Sequence, residues 1–124
     1  MKNALTLLLL AAGLFGAEPP STLVTKALAG IPGKEGSLLR VELAPGSVGS
    51  AHRHNANVFV YVLEGSIVMQ VKGGKEVTLG PGETFTETPD DIHVVSRNAS
   101  KTKPAVFLAF LIKDTGDPVV VPVP

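Results

Sequence analysis

Residues 46–65 read GSVGSAHRHNANVFVYVLEG, and this stretch decides both the fold and the candidate site of the chain. It joins a His-x-His pair, His52 and His54, to an apolar segment that reads as a strand. Two residues apart on an extended chain, the two imidazoles point to the same face, so one ion can take a nitrogen from each. The third of the three histidines, His93, follows a Gly/Pro-rich turn at residues 80–82. The pattern predicts one metal site that uses all three histidines.

The chain after residue 22 divides into short β-rich segments separated by glycine and proline. The predicted strands are 23–28, 37–43, 58–63, 66–72, 76–79, 84–87, 93–97 and 105–112. No segment keeps a helical period, and many short strands with glycine corners predict an all-β sandwich, jelly roll or small barrel. Gly73 and Gly74 are predicted to form a two-residue hairpin loop. Recurring prolines make residues 118–124 a tail, or an edge strand at best.

The N-terminus has the features of a secretory signal peptide. Lys2 is followed by an apolar run over residues 4–15 and by the small residues Gly16 and Ala17. This run is too short to span a bilayer, and its leucines have no polar face, which disfavours the alternative of an N-terminal core helix. We expect a signal peptide over 1–17, a linker and first strand over 18–35, one β domain over 36–115 and a Pro/Val tail over 116–124. The mature protein is then periplasmic or extracellular, with no membrane segment left after cleavage.

Composition excludes several classes of function. The 124 residues contain no cysteine, so neither a disulfide nor thiolate chemistry is available. Eleven basic and eleven acidic residues cancel without forming blocks, and aromatic residues are only 5% of the chain, so no nucleic-acid partner is expected. A G-x-S-x-G nucleophile motif is also missing from the sequence. The expected partner is a small molecule.

The histidine pattern resembles the two motifs of the cupin superfamily, G-x5-H-x-H-x3,4-E-x6-G and G-x5-P-x-G-x2-H-x3-N. The matching positions are Gly46, His52, His54, Gly65, Gly82 and His93. The resemblance implies a small single-domain cupin, with a cupin-type β-barrel that is also called a double-stranded β-helix or jelly roll. It implies the metal ligands His52, His54 and His93. It also implies that two copies can form a homodimer through edge strands.

The sequence departs from these motifs at several positions. Val58 stands where the first motif has its glutamate ligand, and valine cannot bind metal. Thr88 and Asp90 stand at the proline and glycine of the second motif, and Asn98 comes one residue late. The resemblance therefore carries over three histidine ligands without the carboxylate.

Five residues near the motifs carry side-chain oxygens that could replace the missing glutamate. Asn57 is adjacent to the vacant position but points to the opposite face of an extended strand. Glu83 and Glu87 share strand parity, and one of them could accept a hydrogen bond from the histidine ring nitrogen that does not bind the metal. We expect both to be exposed carboxylates at a sheet edge. Asp90 and Asp91 are expected to stabilise a turn.

Three neutral imidazoles favour zinc, iron, copper or nickel over hard ions such as magnesium. Three protein donors also leave a position open for water or substrate, as in catalytic metal sites. Val58, Val60 and Val62 are predicted to face inward, where they either give the site an apolar lining or simply pack in the core. The sequence thus predicts an exported cupin that binds one divalent transition metal. It leaves open an oxygenase- or isomerase-like enzyme on a small organic substrate, a non-catalytic module that captures a small molecule or metal, and a metal-free structural protein.

Overall fold

The computed structural model describes residues 19–124, which form ten β-strands and no helix. The strands are β1 (Ser21–Ala27), β2 (Lys34–Leu43), β3 (His52–Arg53), β4 (Asn57–Glu64), β5 (Ile67–Val71), β6 (Val77–Leu79), β7 (Thr84–Glu87), β8 (His93–Asn98), β9 (Ala105–Asp114) and β10 (Val121–Pro122). Within these residues there is accordingly no helical segment that could cross a membrane. The predicted signal peptide, 1–17, lies outside the described residues.

The strands form two five-stranded sheets. Sheet A has the order β1-β2-β9-β4-β7, and sheet B has the order β10-β3-β8-β5-β6. All strand pairs are antiparallel, and β2 pairs with β9 along its full length, from Lys34 opposite Asp114 to Leu43 opposite Ala105. The all-β class and the eight predicted strands are confirmed. Strand β3 is not among the predicted strands. Strand β10 lies in residues 118–124, which are predicted as a tail or, at best, an edge strand.

Side-chain alternation on β4 explains how the sheets pack. Val58, Val60 and Val62 are buried, whereas Phe59 and Tyr61 between them are exposed. Strand β9 adds buried side chains opposite them, and strand β5 of sheet B contributes Ile67 and Met69 to the same core. The two sheets therefore enclose one apolar core, with the predicted inward face of β4 inside it.

Two glycine turns show where local geometry sets the chain path. Gly65 has φ of 73°, and a Cβ at this position would lie 2.6 Å from the Pro104 carbonyl oxygen, so the closing glycine of the motif is required. The predicted two-residue hairpin at Gly73 and Gly74 is wrong, because the last paired residues of β5 and β6 are Met69 and Val77. Strand β5 continues to pair with β8 beyond that point, which displaces the turn.

The side chain of Asn98 links the end of β2 to the loop between β8 and β9. Its Nδ2 donates to the carbonyls of Leu43 and Ala44 at 3.2 Å and to that of Lys103 at 2.7 Å, and its Oδ1 accepts from the Ser100 amide. The residue is buried. The motif asparagine therefore keeps a structural role although it comes one residue late.

The C-terminal segment adds the edge strand of sheet B. Val121 pairs with Arg53 and Pro122 pairs with His52. Because proline lacks an N–H, it is tolerated at such an edge. The segment lies beside the His-x-His pair, which matters for the site.

Candidate metal centre

Strand pairing in sheet B places two of the predicted ligands together. His52 on β3 and His93 on β8 are direct cross-strand partners, so their side chains leave the sheet on the same face. Their ring centroids are 5.0 Å apart. The forty residues that separate them in sequence therefore do not separate them in space.

His54 completes the cluster just after β3 ends. Its ring lies 4.7 Å from the ring of His52 in an edge-to-face arrangement. The next residue, Asn55, has φ of 52° and turns the chain toward β4. One nitrogen from each of the three rings lies within 4.8 Å of the others. The structure thus brings together all three residues that the sequence predicted as ligands.

The hydrogen bonds of His52 and His54 fix which ring nitrogen faces the centre. Nδ1 of His52 lies 2.8 Å from the Ser50 carbonyl oxygen, and Nδ1 of His54 lies 2.6 Å from that of Val119. A carbonyl oxygen only accepts, so each Nδ1 carries the hydrogen, and in the neutral imidazole each Nε2 then presents a lone pair. The two Nε2 atoms are 3.1 Å apart. Two facing lone pairs at this distance repel unless a cation lies between them.

His93 is the most buried of the three ligands, with 3% of its surface exposed. Among residues 19–124 neither of its ring nitrogens has a hydrogen-bond partner. Burial, and then the neighbouring imidazoles of His52 and His54, lower its pKa from 6.5 to about 4. Burial also lowers the pKa of His54. Both rings are therefore neutral near pH 7, which is the form that binds metal.

Glu87, on β7 of sheet A, reaches the same centre from the opposite sheet. Its Oε2 lies 3.5 Å from Nδ1 of His93 and 3.8 Å from Nε2 of His54. Burial, and then the carboxylate of Asp91, raise its pKa to about 7. The expectation of an exposed edge carboxylate is wrong for Glu87, which is 4% exposed, and correct for Glu83. The two differ because β7 begins only at Thr84, so Glu83 lies in the preceding turn and strand parity does not apply to it.

The remaining polar candidates lie away from the centre. Asn57 is exposed, on the face of β4 opposite to Val58, as predicted. Asp91 accepts a hydrogen bond from the Thr88 amide at 2.7 Å and donates its own amide to the Thr88 carbonyl. Asp91 therefore has the predicted role in a turn.

A cavity of about 180 Å³ lies between the sheets, next to the three histidines. Its walls are mostly aliphatic and aromatic, and include Leu39, Val41, Val60, Met69, Phe107 and Leu111. The C-terminal segment contributes Val119 and Val120. A cavity of this kind accepts a small, largely apolar molecule whose polar end meets the histidines.

The residues present fit a divalent transition metal. Three imidazoles converge, two of them hold the tautomer that turns Nε2 inward, and the third has unpartnered buried nitrogens. Ligating histidines in metal sites usually donate the other ring N–H to a carbonyl or carboxylate, as His52 and His54 do. The imidazole set suits zinc, iron, copper or nickel.

Comparison with known proteins supports the fold. The family model of the cupin domain matches residues 39–111. A search of the curated proteins gives no match. Among solved structures, a conserved protein with a double-stranded β-helix domain from Klebsiella pneumoniae is similar, at 15% identity and a TM-score of 0.65, over 87% of this chain and 92% of that one.

Two enzymes are among the similar structures. The DMSP lyase DddQ from Ruegeria pomeroyi is 19% identical, with a TM-score of 0.62, over 71% of this chain and 43% of the lyase. A recombinant oxalate oxidase in complex with glycolate is 23% identical, with a TM-score of 0.64, over 89% of this chain and 62% of the oxidase. The chain thus spans less than two thirds of either enzyme, and at these identities the likeness shows the fold alone. Because the family model covers more than half of the sequence, the chain belongs to the cupin family.

Proposed function

We propose that this cupin binds one divalent transition metal, zinc, iron, copper or nickel, through His52, His54 and His93. The observation that carries the proposal is the 3.1 Å approach of the Nε2 atoms of His52 and His54, each with its Nδ1 held by a backbone carbonyl. An arrangement of this kind is unfavourable in the neutral protein without a cation. It is the arrangement expected of two ligands of one ion.

The proposed activity is that of an oxygenase- or isomerase-like enzyme on a small organic substrate. When bound, the metal supplies Lewis-acid or redox chemistry at a substrate oxygen. The chain holds His52 and His54 rigidly through the carbonyls of Ser50 and Val119. The apolar cavity walls exclude water and orient the apolar part of the substrate.

The cavity indicates the class of substrate. Its volume of about 180 Å³ suits a ligand of about the size of benzene, which fits a cavity of about 150 Å³. Its walls favour an apolar body with an oxygen donor at one end. The similar structures named as a DMSP lyase and as an oxalate oxidase with glycolate support a small-molecule substrate in this fold. They do not define the reaction of this chain.

The metal centre is tested by metal analysis of purified protein. We expect one equivalent of metal in the wild type and its loss in His52→Ala and His93→Ala. Asn57→Ala is the matched control, because this residue is exposed on a neighbouring strand. Equal traces of metal in all four proteins would refute the centre and would favour a metal-free structural cupin.

The alternative function is non-catalytic capture of a small molecule or of the metal itself. It is favoured by the few polar groups in the cavity wall apart from the histidines and Glu87. Oxygen uptake and product formation with a panel of small enols, thiols and phenolics separate the two functions. Turnover that is lost in His93→Ala supports the enzyme, whereas saturable binding without turnover supports capture.

We also propose that the protein is exported, on the basis of the predicted signal peptide over 1–17. A bacterial host that expresses the full chain should yield protein in the periplasm or medium, with its N-terminus near residue 18. A chain that starts at residue 18 is the control and should stay in the cytoplasm. Retention of full-length, unprocessed protein in the cytoplasm would contradict export.

A homodimer is proposed through the edge of sheet A. Strand β1 is exposed along its whole length, and Leu23 and Val24 leave half of their apolar surface exposed. An uncovered edge of this kind is a surface on which a second copy can pair. Sedimentation should show a dimer for the wild type and a monomer for Val24→Lys. Identical monomeric behaviour of both proteins would contradict the dimer.

A further inference from the structure

The carboxylate of Glu87 is buried and has no lysine or arginine partner within residues 19–124. Its Oε1 has no hydrogen-bond partner among residues 19–124, and the same is true of both ring nitrogens of His93. An ionisable group is rarely buried in this way unless it is paired or coordinates a metal. Glu87 therefore has a role that packing alone does not explain.

The position of Glu87 is directly opposite the missing motif glutamate. Val58 on β4 and Glu87 on β7 are cross-strand partners, and both side chains are buried on the inner face of sheet A. Direct partners in an antiparallel pair have Cβ atoms about 4.5–5.5 Å apart. A side chain as long as glutamate can thus reach the same space from either strand.

Distances place the Glu87 carboxylate among the predicted ligands. Its Oε2 is 3.5 Å from Nδ1 of His93 and 3.8 Å from Nε2 of His54, the nitrogen that faces the centre. Donors bound at 2.0–2.1 Å around one tetrahedral ion are about 3.4 Å apart. The contacts of Oε2 with His93 and His54 are close to this separation. Among residues 19–124, the donor atoms within 4.8 Å of one another belong only to the three histidines, so Glu87 enters the coordination shell by moving toward His52.

We infer that Glu87 binds the metal directly and supplies the carboxylate that Val58 cannot provide. This inference rests on the proposed three-histidine centre and extends it to three imidazoles and one carboxylate. The ligand has moved from β4 to the facing position on β7. The anionic donor offsets part of the charge of a divalent ion inside an apolar barrel.

The inference predicts an altered metal preference. Carboxylate oxygen favours harder ions such as manganese, whereas imidazole alone favours copper and zinc. Glu87→Gln keeps the size of the side chain but removes its charge. We expect this variant to lose about 100-fold in manganese affinity and less in zinc affinity.

The experiment is titration of metal-free wild type, Glu87→Gln and Glu83→Gln with Mn²⁺, Zn²⁺ and Co²⁺ against a chromophoric chelator. Glu83→Gln is the matched control, since Glu83 is exposed and accepts a hydrogen bond from the Gly80 amide. Circular dichroism confirms that each variant folds. The Co²⁺ visible spectrum should change in Glu87→Gln, because a direct ligand sets the ligand field, and should be unchanged in Glu83→Gln.

The exchanged variant, Val58→Glu with Glu87→Val, tests the position itself. This variant returns the carboxylate to β4, the strand on which the first cupin motif has its glutamate. We expect its manganese affinity to be within about tenfold of the wild type, because changes in the groups that orient a ligand have effects of this size. An exchanged protein as weak as Glu87→Gln would contradict the idea that the two positions are equivalent.

Three results would overturn the inference in separable ways. If Glu87→Gln keeps the affinity and the Co²⁺ spectrum of the wild type while His93→Ala loses metal, Glu87 is not a ligand and the three-histidine centre stands. If Glu87→Gln weakens binding but leaves the Co²⁺ spectrum unchanged, the carboxylate only orients His93. If the wild type binds no metal in stoichiometric amount, both the centre and the inference fail.

Discussion

Two carboxylates in sheet A, the half-buried Glu35 and the buried Glu87, have opposite surroundings. Glu35, at the start of β2, accepts a 2.6 Å hydrogen bond from Nζ of Lys113, which also donates to the Asp117 carbonyl at 2.6 Å. Glu87, on β7, has no lysine or arginine within ion-pair distance among residues 19–124. The side chains within 4 Å of its Oε2 atom are the imidazoles of His54 and His93, which are neutral near pH 7. The first carboxylate has its cation within the chain, and the second does not.

This difference separates a structural group from a functional one. The ion pair of Glu35 and Lys113, in which each charge has its partner within the chain, is accounted for by the fold. A buried carboxylate beside unpartnered histidine nitrogens has no such partner within residues 19–124, and this supports the proposed metal centre. The contrast favours the proposed metal centre near Glu87, and the experiments below alter one carboxylate at a time.

The largest expected effect comes from breaking the ion pair between Glu35 and Lys113. Lys113→Met removes the cation and leaves Glu35 largely buried without a partner. Breaking a buried pair in this way costs about 3 kcal/mol of unfolding free energy. Urea unfolding of the metal-free protein measures the loss. The double variant Glu35→Leu with Lys113→Met removes both charges and should recover most of that loss.

A loss below about 1 kcal/mol in Lys113→Met would place this pair in the range of surface ion pairs and would remove the contrast with Glu87. Metal affinity should be unchanged in both variants, because the pair involves no residue of the centre. A fall in affinity would show that the two regions are coupled.

The second effect comes from removing the charge of Glu87 in the metal-free protein. Its pKa is raised from 4.5 to about 7, so the native state holds its proton more tightly than the unfolded chain does. The resulting stabilisation is present below pH 4.5 and is lost as the pH rises through 7. Glu87→Gln has no such loss and should be more stable than the wild type by about 3 kcal/mol at pH 8.

The same variant should show little difference from the wild type at pH 5. Both proteins also lose stability as the pH falls from 6.5 to 4, because the pKa of His93 is lowered from 6.5 to about 4 and its contribution is lost between these two values. Urea unfolding at pH 8 and pH 5 gives the two differences. Equal stability of Glu87→Gln and wild type at pH 8 would show that the metal-free protein tolerates the buried charge.

Much of the fold could be predicted from the sequence, because glycine and proline mark most strand ends and the histidine spacings match a known pair of motifs. The two missed or underrated strands, β3 and β10, are two residues long and have no pattern of their own. Pro122 even opposes strand formation by propensity. These strands exist because they pair with each other at the edge of sheet B, and a single sequence does not show such pairing.

The site divides in the same way. His52, His54 and His93 could be predicted because their distances from Gly46, Gly65 and Gly82 along the chain match the two cupin motifs. Glu87 could not, because its importance depends on the register that sets it opposite Val58. Register is a property of two strands, and a shift of one residue would turn the carboxylate to solvent. The parity shared with Glu83 was the only signal, and it did not distinguish the two residues.

The smallest effect comes from the C-terminal segment, which contacts both regions. Asp117 accepts from Lys113, and Val119 accepts from Nδ1 of His54. Deleting residues 119–124 removes the second contact and keeps the first. Loss of a hydrogen bond that orients a ligand should weaken metal binding by about tenfold. Chelator competition measures this change, while the effect of Lys113→Met on unfolding should be the same in the shortened chain. Unchanged metal affinity would mean that packing alone orients His54, because its ring would then hold its position without the Val119 carbonyl.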